Sequence, residues 1–250
     1  MIRPVLKQLQ FSSLNSGKSN EIARSREPEA IREIFARVAR WYDLANHLLS
    51  CGADFYWRKQ AARIVAAWKP GHIVDLATGT GDLALAIQKK LPNAEITGVD
   101  FSPEMLDIAR GKGLQGTVVA DVRAVPFASD RFDCLTIAFG LRNVQDWAAA
   151  LQEMARILKP GGHLLILEFS LPQSALLRGL YRIYLHRMLP FIASVVTRSR
   201  DSYKYLGASI ENFPNRLEMM RLIENVGFIK ISAQPLTRGI VTIYTAKKNG

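Results

Sequence analysis

Residues 73–82 read Ile-Val-Asp-Leu-Ala-Thr-Gly-Thr-Gly-Asp, or IVDLATGTGD. An apolar strand built on Ile73, Val74 and Leu76 runs into Thr78-Gly79-Thr80-Gly81, and Asp82 opens a helix carrying Leu83, Leu85, Ala86 and Ile87. A glycine turn between strand and helix lets a ligand approach the backbone, and a helix start offers N–H groups without intrahelical partners. The pattern predicts a nucleotide-like ligand. Taken alone, Gly79-x-Gly81-x-x-Ala84 fits the relaxed dinucleotide fingerprint, with Asp100 about twenty residues further on to meet a ribose.

Two neighbours favour S-adenosylmethionine (SAM) over a dinucleotide. Asp75 precedes the glycines, where a carboxylate suits the cationic amino-acid end of SAM better than a pyrophosphate. Asp121 and Val122 begin DVRAVPF after a third short strand, a stretch suited to clamping an adenine. Acids at three successive strand ends describe a cationic ligand with a ribose and a base.

Strand and helix patterns alternate outward from this loop. Strands are expected at Ile73–Ala77, Glu95–Val99, Thr117–Ala120, Phe132–Phe139 and His163–Phe169, with helices at Asp82–Leu91, Pro103–Arg110 and Trp147–Leu158. Lys159-Pro160-Gly161-Gly162 reads as a stop. Such alternation predicts a parallel sheet with helices on both faces, and ligands at the carboxyl ends of its strands. Upstream, helical patterns start at Pro28 and cover Asp54–Trp68. Downstream, residues 171–199 are basic, apolar and aromatic, with Leu176, Leu177, Leu180, Ile183, Tyr184 and Leu185 on a broad face and Arg178, Arg182 and Arg187 elsewhere. Two further helices, Tyr203–Ile210 and Pro214–Asn225, lead to strands at Phe228–Ser232 and Ile240–Lys247. The fold expected is α/β: a doubly wound, seven-stranded, mostly parallel sheet with an antiparallel C-terminal edge. Residues 1–26 read as a flexible extension and 27–250 as one domain, with a helical cap at 27–68 and a helical lid at 171–225.

Composition narrows the partners. Thirty-three Lys and Arg against twenty-two Asp and Glu leave a net charge of +11, which steers the chain toward anionic surfaces. Nucleic acid is one such partner, but no appended RNA-binding module is evident and none is expected to bind. The two cysteines, Cys51 and Cys134, form neither a disulfide framework nor a zinc signature, and fit a reducing, cytoplasmic setting. The four histidines are scattered, so no metal is expected. No apolar run approaches the ~18 residues of a membrane span, and the first residues lack a secretory core.

Several stretches together resemble the ubiquinone/menaquinone biosynthesis C-methyltransferase family. They are Tyr42-Asp43-x-x-Asn46-x-x-Leu49-Ser50 with Trp57 after it, the loop DLATGTGD at 75–82, Phe139-Gly140-Leu141-Arg142-Asn143-Val144, LKPGG at 158–162, LEFS at 167–170 and DSYKYLGASIENFP at 201–214. The likeness covers about residues 28–248. The chain departs from the family pattern at Ala45 and Asp54, beside the substrate entrance, and at Thr78, Ala138 and Asp121-Val122, around the cofactor.

The resemblance implies a class I SAM-dependent methyltransferase that methylates a ring carbon of a polyprenylated benzoquinol or naphthoquinol. It implies Arg142 beside the developing phenolate, Asn143 orienting the hydroxyl, and Tyr42 and Asp43 closing the site and relaying the proton. On the cofactor side it places Asp100 on the ribose, Asp121 and Val122 on the adenine, and Asp75, Gly79, Thr80, Gly81 and Ala138 around the rest. A lipid substrate and the basic surplus imply reversible attachment to an anionic membrane at its inner face, and the family leaves room for a homodimer. Two other readings are a methyltransferase for a different hydrophobic small molecule and a non-catalytic SAM-binding partner in a quinone-biosynthesis complex.

Overall fold

In the computed structural model, residue 50 and residues 52–188 and 200–250 are described, without the side chains of 200–204. Their strands are β1 (His72–Leu76), β2 (Glu95–Asp100), β3 (Gly116–Val119), β4 (Phe132–Ala138), β5 (Leu158–Phe169), β6 (Phe228–Leu236) and β7 (Val241–Lys248). They form one seven-stranded sheet in the order β3-β2-β1-β4-β5-β7-β6. The first five strands pair in parallel, while β7 runs antiparallel to both neighbours. The reversed strand therefore sits one place in from the edge, inserted between β5 and the outer strand β6.

Alternation along the strands supplies two cores. Val74, Leu76, Leu135, Ile137, Leu164 and Ile166 face one side. Ile73, Cys134, Leu165 and Leu167 face the other. With helices on both faces, the strands between the edges are buried over most of their length, hence their near-continuous apolar character.

The helices are α1 (Ala53–Trp68), α2 (Asp82–Gln88), α3 (Pro103–Gly111), α4 (Trp147–Ile157), α5 (Ala175–Ile183, followed by a π-helical turn Tyr184–Met188), α6 (Arg200–Glu211) and α7 (Arg216–Asn225). Helical spacing sets what each buries. Trp57, Ala61, Ala62 and Val65 form the inner stripe of α1, and Ala150, Leu151, Met154 and Ile157 that of α4. Side chains fix several starts. Ser102 caps α3 ahead of Pro103, Asp146 caps α4, and Asn215 with Glu218 closes a capping box on α7.

The stop expected at 159–162 is a bulge inside β5. Phe132 pairs with Leu158 and Cys134 with His163, so four residues loop out opposite one. Gly161, at φ 76°, makes the reversal. Tyr42, Asp43, Ala45 and the extension at 1–26 lie outside the described residues.

Leu135 is fully buried at the centre of β4, between Val74 and Leu164. Leu135→Ala removes its contacts and leaves a cavity, so urea unfolding should show a loss of about 3 kcal/mol. A loss below about 1 kcal/mol would mean the sheet centre collapses around the gap.

Candidate active site

Strand order turns outward in opposite directions from β1 and β4, which lie side by side. Open α/β sheets place ligands in the crevice at such a switch. Here the two loops nearly touch: a Cβ built on Gly140 would lie 2.5 Å from Cβ of Ala77. Only glycine fits there. Ala77 at φ 47° and Phe139 at φ 57° are both held in the left-handed region, uncommon for non-glycine residues and concentrated at functional sites. From this point β1 feeds the glycine loop, and β4 feeds the 3-10 turn Leu141–Asn143.

The crevice opens into a cavity of about 560 Å³, within the size range of small-molecule sites. Asp75, Asp100 and Asp121, at the ends of adjacent strands, all line it. Asp75 is buried and accepts hydrogen bonds from the hydroxyls of Thr78 and Thr136, each 2.6 Å away. Burial pushes its pKa up to about 6, against those hydroxyls and the nearby Arg58. Asp100 accepts from the N–H groups of Gly79 at 2.8 Å and Ser102 at 3.0 Å, tying the glycine loop to β2. Burial raises this pKa as well.

Asp121 differs. Arg123 donates to both of its oxygens through Nε and Nη2, at 2.6–3.1 Å, and holds its pKa below the usual carboxylate range. Two other cations near this end are tied down. Arg58 pairs with Asp54 and lies 3.6 Å from Asp82, and Lys112 lies 2.8 Å from Asp82. Gly79, at φ 55° with open space where a side chain would stand, offers bare backbone to the cavity.

The other end is apolar, aromatic and organised around one guanidinium. Arg142 is buried, donates from Nη1 to Oε1 of Glu168 at 2.8 Å and to the carbonyl of Phe139, and sits 5.2 Å over the Phe169 ring. Its backbone N–H donates to the second Glu168 oxygen at 3.2 Å. Phe139, Phe169 and Trp57 pack ring against ring at 4.6–6.0 Å, and Trp57 Nε1 donates to Thr237 at 2.7 Å. Asn143 accepts a 3.3 Å hydrogen bond from the Tyr205 hydroxyl of α6. Leu177, Tyr181, Tyr184 and Leu185 of α5 and its turn close this end.

Of the residues singled out from sequence, Asp75, Gly79, Thr80, Asp100, Asp121, Val122, Ala138, Arg142 and Asn143 share this one cavity. Gly81 is not on its wall. A Cβ there would come 3.1 Å from Cβ of Ala109, so this glycine, at φ 83°, lets the loop pack on α3. Asp54, noted as a departure, does line the cavity, paired with Arg58 and accepting from Ser50 at 2.7 Å. Glu168, Tyr181 and Arg123 were not singled out. Glu168 left a signal: it is the lone acid in the apolar strand HLLILEF. Among the described residues, no group of three or more His, Cys, Asp or Glu side chains is placed to hold a metal.

A cavity with an acid rim, a bare glycine backbone and a dry far end suits a cationic nucleoside-type ligand facing an apolar acceptor. Known proteins agree. The model of the ubiE/COQ5 methyltransferase family matches residues 22–248. The chain belongs to that family. It is 46% identical over 219 residues to the ubiquinone/menaquinone biosynthesis C-methyltransferase UbiE of Syntrophotalea carbinolica, covering 86% of this chain and 92% of the relative. It is 41% identical over 220 residues to the demethylmenaquinone methyltransferase of Thermus thermophilus, covering 86% of this chain and all of the relative. A solved SAM-dependent methyltransferase from Thermotoga maritima superposes with a TM-score of 0.63 over 87% of this chain and 99% of its own, at 21% identity, and shows the shared fold. The protein is thus a SAM-dependent methyltransferase of α/β class I architecture.

The raised pKa of Asp75 makes a stability prediction for the unliganded protein. Its folded value of about 6 lies above the ordinary 3.8, so its contribution is complete below pH 3.8 and is lost as pH rises through about 6. The stability difference, Asp75→Asn minus wild type, should therefore grow by about 2 kcal/mol between pH 4 and pH 6 and level off above about pH 7. Denaturant unfolding across that range measures it, and a pH-independent difference would show an Asp75 that titrates as it does in water.

Proposed function

We propose that the enzyme transfers the methyl group of SAM to a ring carbon of a polyprenylated benzoquinol or naphthoquinol. The supporting observation is the division of one cavity into an acid rim and an apolar chamber with a fixed guanidinium at their junction. The names of the relatives point to quinone biosynthesis, and a ring with an isoprenoid tail matches such a chamber. SAM, when bound, supplies an electrophilic methyl to a ring carbon made electron-rich by deprotonation of a neighbouring hydroxyl.

The residues divide the work by chemistry. Asp100 takes ribose hydroxyls, the Val122 backbone with Asp121 meets the adenine edge, and Thr80, Gly79 and Ala138 border the methionine part. Asp75 faces the cationic end, and a bound cation favours its ionised form, so binding at low pH releases a proton. Arg142 lies beside the ring oxygen. A guanidinium stays protonated, so it stabilises an oxyanion rather than accepting a proton. Glu168, the Phe139 carbonyl and the Phe169 ring hold it in place beforehand, and a donor fixed in advance pays no reorganisation in the transition state. Asn143 orients the hydroxyl, and Tyr42 and Asp43 close the site and carry the proton away. In this reading residues 27–68 form the cap over the site and 171–225 its lid.

Substrate identity is tested with isotopically labelled SAM and demethylated benzoquinols and naphthoquinols kept reduced, followed by product identification. Ring-carbon methylation is expected; failure on the whole panel would remove the quinol assignment. In the same assay Arg142→Lys, which keeps a charge opposite Glu168 and avoids an unpaired buried acid, should cut kcat by about 10²–10³-fold with SAM affinity nearly unchanged. Normal turnover by that variant would take Arg142 away from the reacting oxygen.

The substrate's tail sets the enzyme's location. Leu176, Leu180 and Ile183 stand at helical spacing on the outer side of α5, each more than half exposed, with Met188 continuing beyond the turn. Arg187 is exposed beside them. A helix with an outward apolar stripe and basic flanks lies in a membrane interface, and each Lys or Arg near an anionic surface adds about 1 kcal/mol. No helix among the described residues is long and apolar enough to cross a membrane, which leaves attachment to one face. Flotation with anionic liposomes should carry the protein at low salt and release it at high salt, and Leu180→Glu with Ile183→Glu should weaken capture. Absence of binding to anionic vesicles at low salt would sink the attachment.

A further inference from the structure

Tyr181 lies on the inner side of α5, 9% exposed, on the wall of the apolar chamber. Its ring stacks on that of Tyr184, with centroids 6.3 Å apart and planes at 11°. The Tyr181 hydroxyl makes no hydrogen bond to the described residues and opens on the cavity, although its helix and the turn after it pack against β5 and α6 through Leu185 and Ile210. A phenol brought to a cavity wall, with no partner among the described residues, is placed for something in the cavity.

Packing says where: Phe169, whose ring lies under the Arg142 guanidinium, packs against the cluster of Tyr181, Leu185 and Ile210, and Tyr181 and Arg142 line the same cavity. Burial drives the Tyr181 pKa up, Tyr184 and Glu168 push the same way, and Arg142 pulls it down. The phenol therefore feels the charges of the Arg142–Glu168 pair, and it stays a neutral O–H donor across the working pH range. Arg142 brings charge but is shared with Glu168 and the Phe139 carbonyl. Tyr181 brings a donor committed to no acceptor among the described residues.

We propose that Tyr181 donates a hydrogen bond to the same ring oxygen that Arg142 faces, so that the two side chains form a two-point clamp on the developing phenolate. This rests on the quinol reading above. Oxyanions are held best by two or more donors fixed in a water-poor site, where one hydrogen bond is worth more than in water. A phenol also discriminates: it has nothing to bond when the acceptor ring lacks an oxygen beside the reacting carbon. Tyr181 is thus assigned as a catalytic residue and as part of the selection for ring alcohols.

The test is Tyr181→Phe, which keeps the ring, its burial and the stack on Tyr184 and removes only the hydroxyl. On the quinol that wild type methylates, kcat should fall about 10–10²-fold, with KM for the quinol and calorimetric SAM affinity changed less than about threefold. The rising limb of kcat against pH, set by the ring hydroxyl, should move to higher pH because the phenolate has lost a donor. A structural role alone would leave that limb in place. Unchanged kcat and unchanged limb in Tyr181→Phe, with wild type active, would overturn the clamp and leave the quinol reading standing. Wild type inactive on every quinol would overturn that reading and the clamp with it. Tyr181→Leu, which removes the aromatic stack as well, should lower kcat no further than Tyr181→Phe does; a large additional loss would show that the ring, not the hydroxyl, is what matters.

Discussion

The backbone contact between Ala77 and Gly140 governs the layout of the site. Where β1 and β4 end side by side, any side chain on Gly140 would collide with Ala77. The strands can approach this closely only because one loop gives up its side chain and the other turns through a left-handed alanine. The consequence is geometric. The loop that leads to the glycines and the loop that leads to Arg142 depart from almost the same point in opposite directions. The acid rim and the apolar end of the cavity are thereby set next to each other by main chain, not by long side chains that would have to be ordered at an entropic cost.

Charge is handled differently on the two sides of that contact. At the rim, Asp75 and Asp100 are buried with only hydroxyl and backbone N–H donors around them, and both pKa values rise. The fold offsets part of their desolvation by hydrogen bonding. At the inner end, Arg142 and Glu168 compensate each other within a nearly dry pocket. Such pairs add little net stability compared with apolar packing, but removing either partner strands the other. The pair makes sense as a fixed dipole whose positive end borders the chamber.

Much of this was legible in the sequence, for identifiable reasons. IVDLATGTGD placed the loop because strand periodicity, turn glycines and a helix start agree over ten residues. The alternation to Phe169 fixed the parallel sheet, and the acids at successive strand ends fell on one rim because strand order is 3-2-1 there. What stayed hidden depends on packing. Glu168 reads as the end of an apolar strand, and only the fold reveals that Arg142 needs it. Gly81 reads as a ligand-facing glycine, whereas its missing side chain makes room for Ala109. The bulge at 159–162 reads as a chain stop because Pro160 and the two glycines after it mark a loop whether or not a strand resumes on both sides.

Helix α5 shows how the broad apolar face expected of the lid is divided. Leu176, Leu180 and Ile183 form one stripe, and Leu177, Tyr181 and Tyr184, at the same spacing one residue on, form the next. In sequence they read as a single broad apolar face. In the fold the second stripe lines the cavity and the first faces outward. The helix is held by the small cluster of Tyr181, Leu185 and Ile210, by an ion pair from Arg182 to Glu211 at 2.8 Å and by a 3.0 Å contact of His186 Nε2 with the same carboxylate. Exposed ion pairs contribute about 1 kcal/mol or less, so this element is bound far less firmly than the sheet beneath it. That weakness suits the proposed function, in which a wall between an apolar chamber and the outside lets a hydrophobic tail pass, and an apolar stripe on each side spares the tail a step through water.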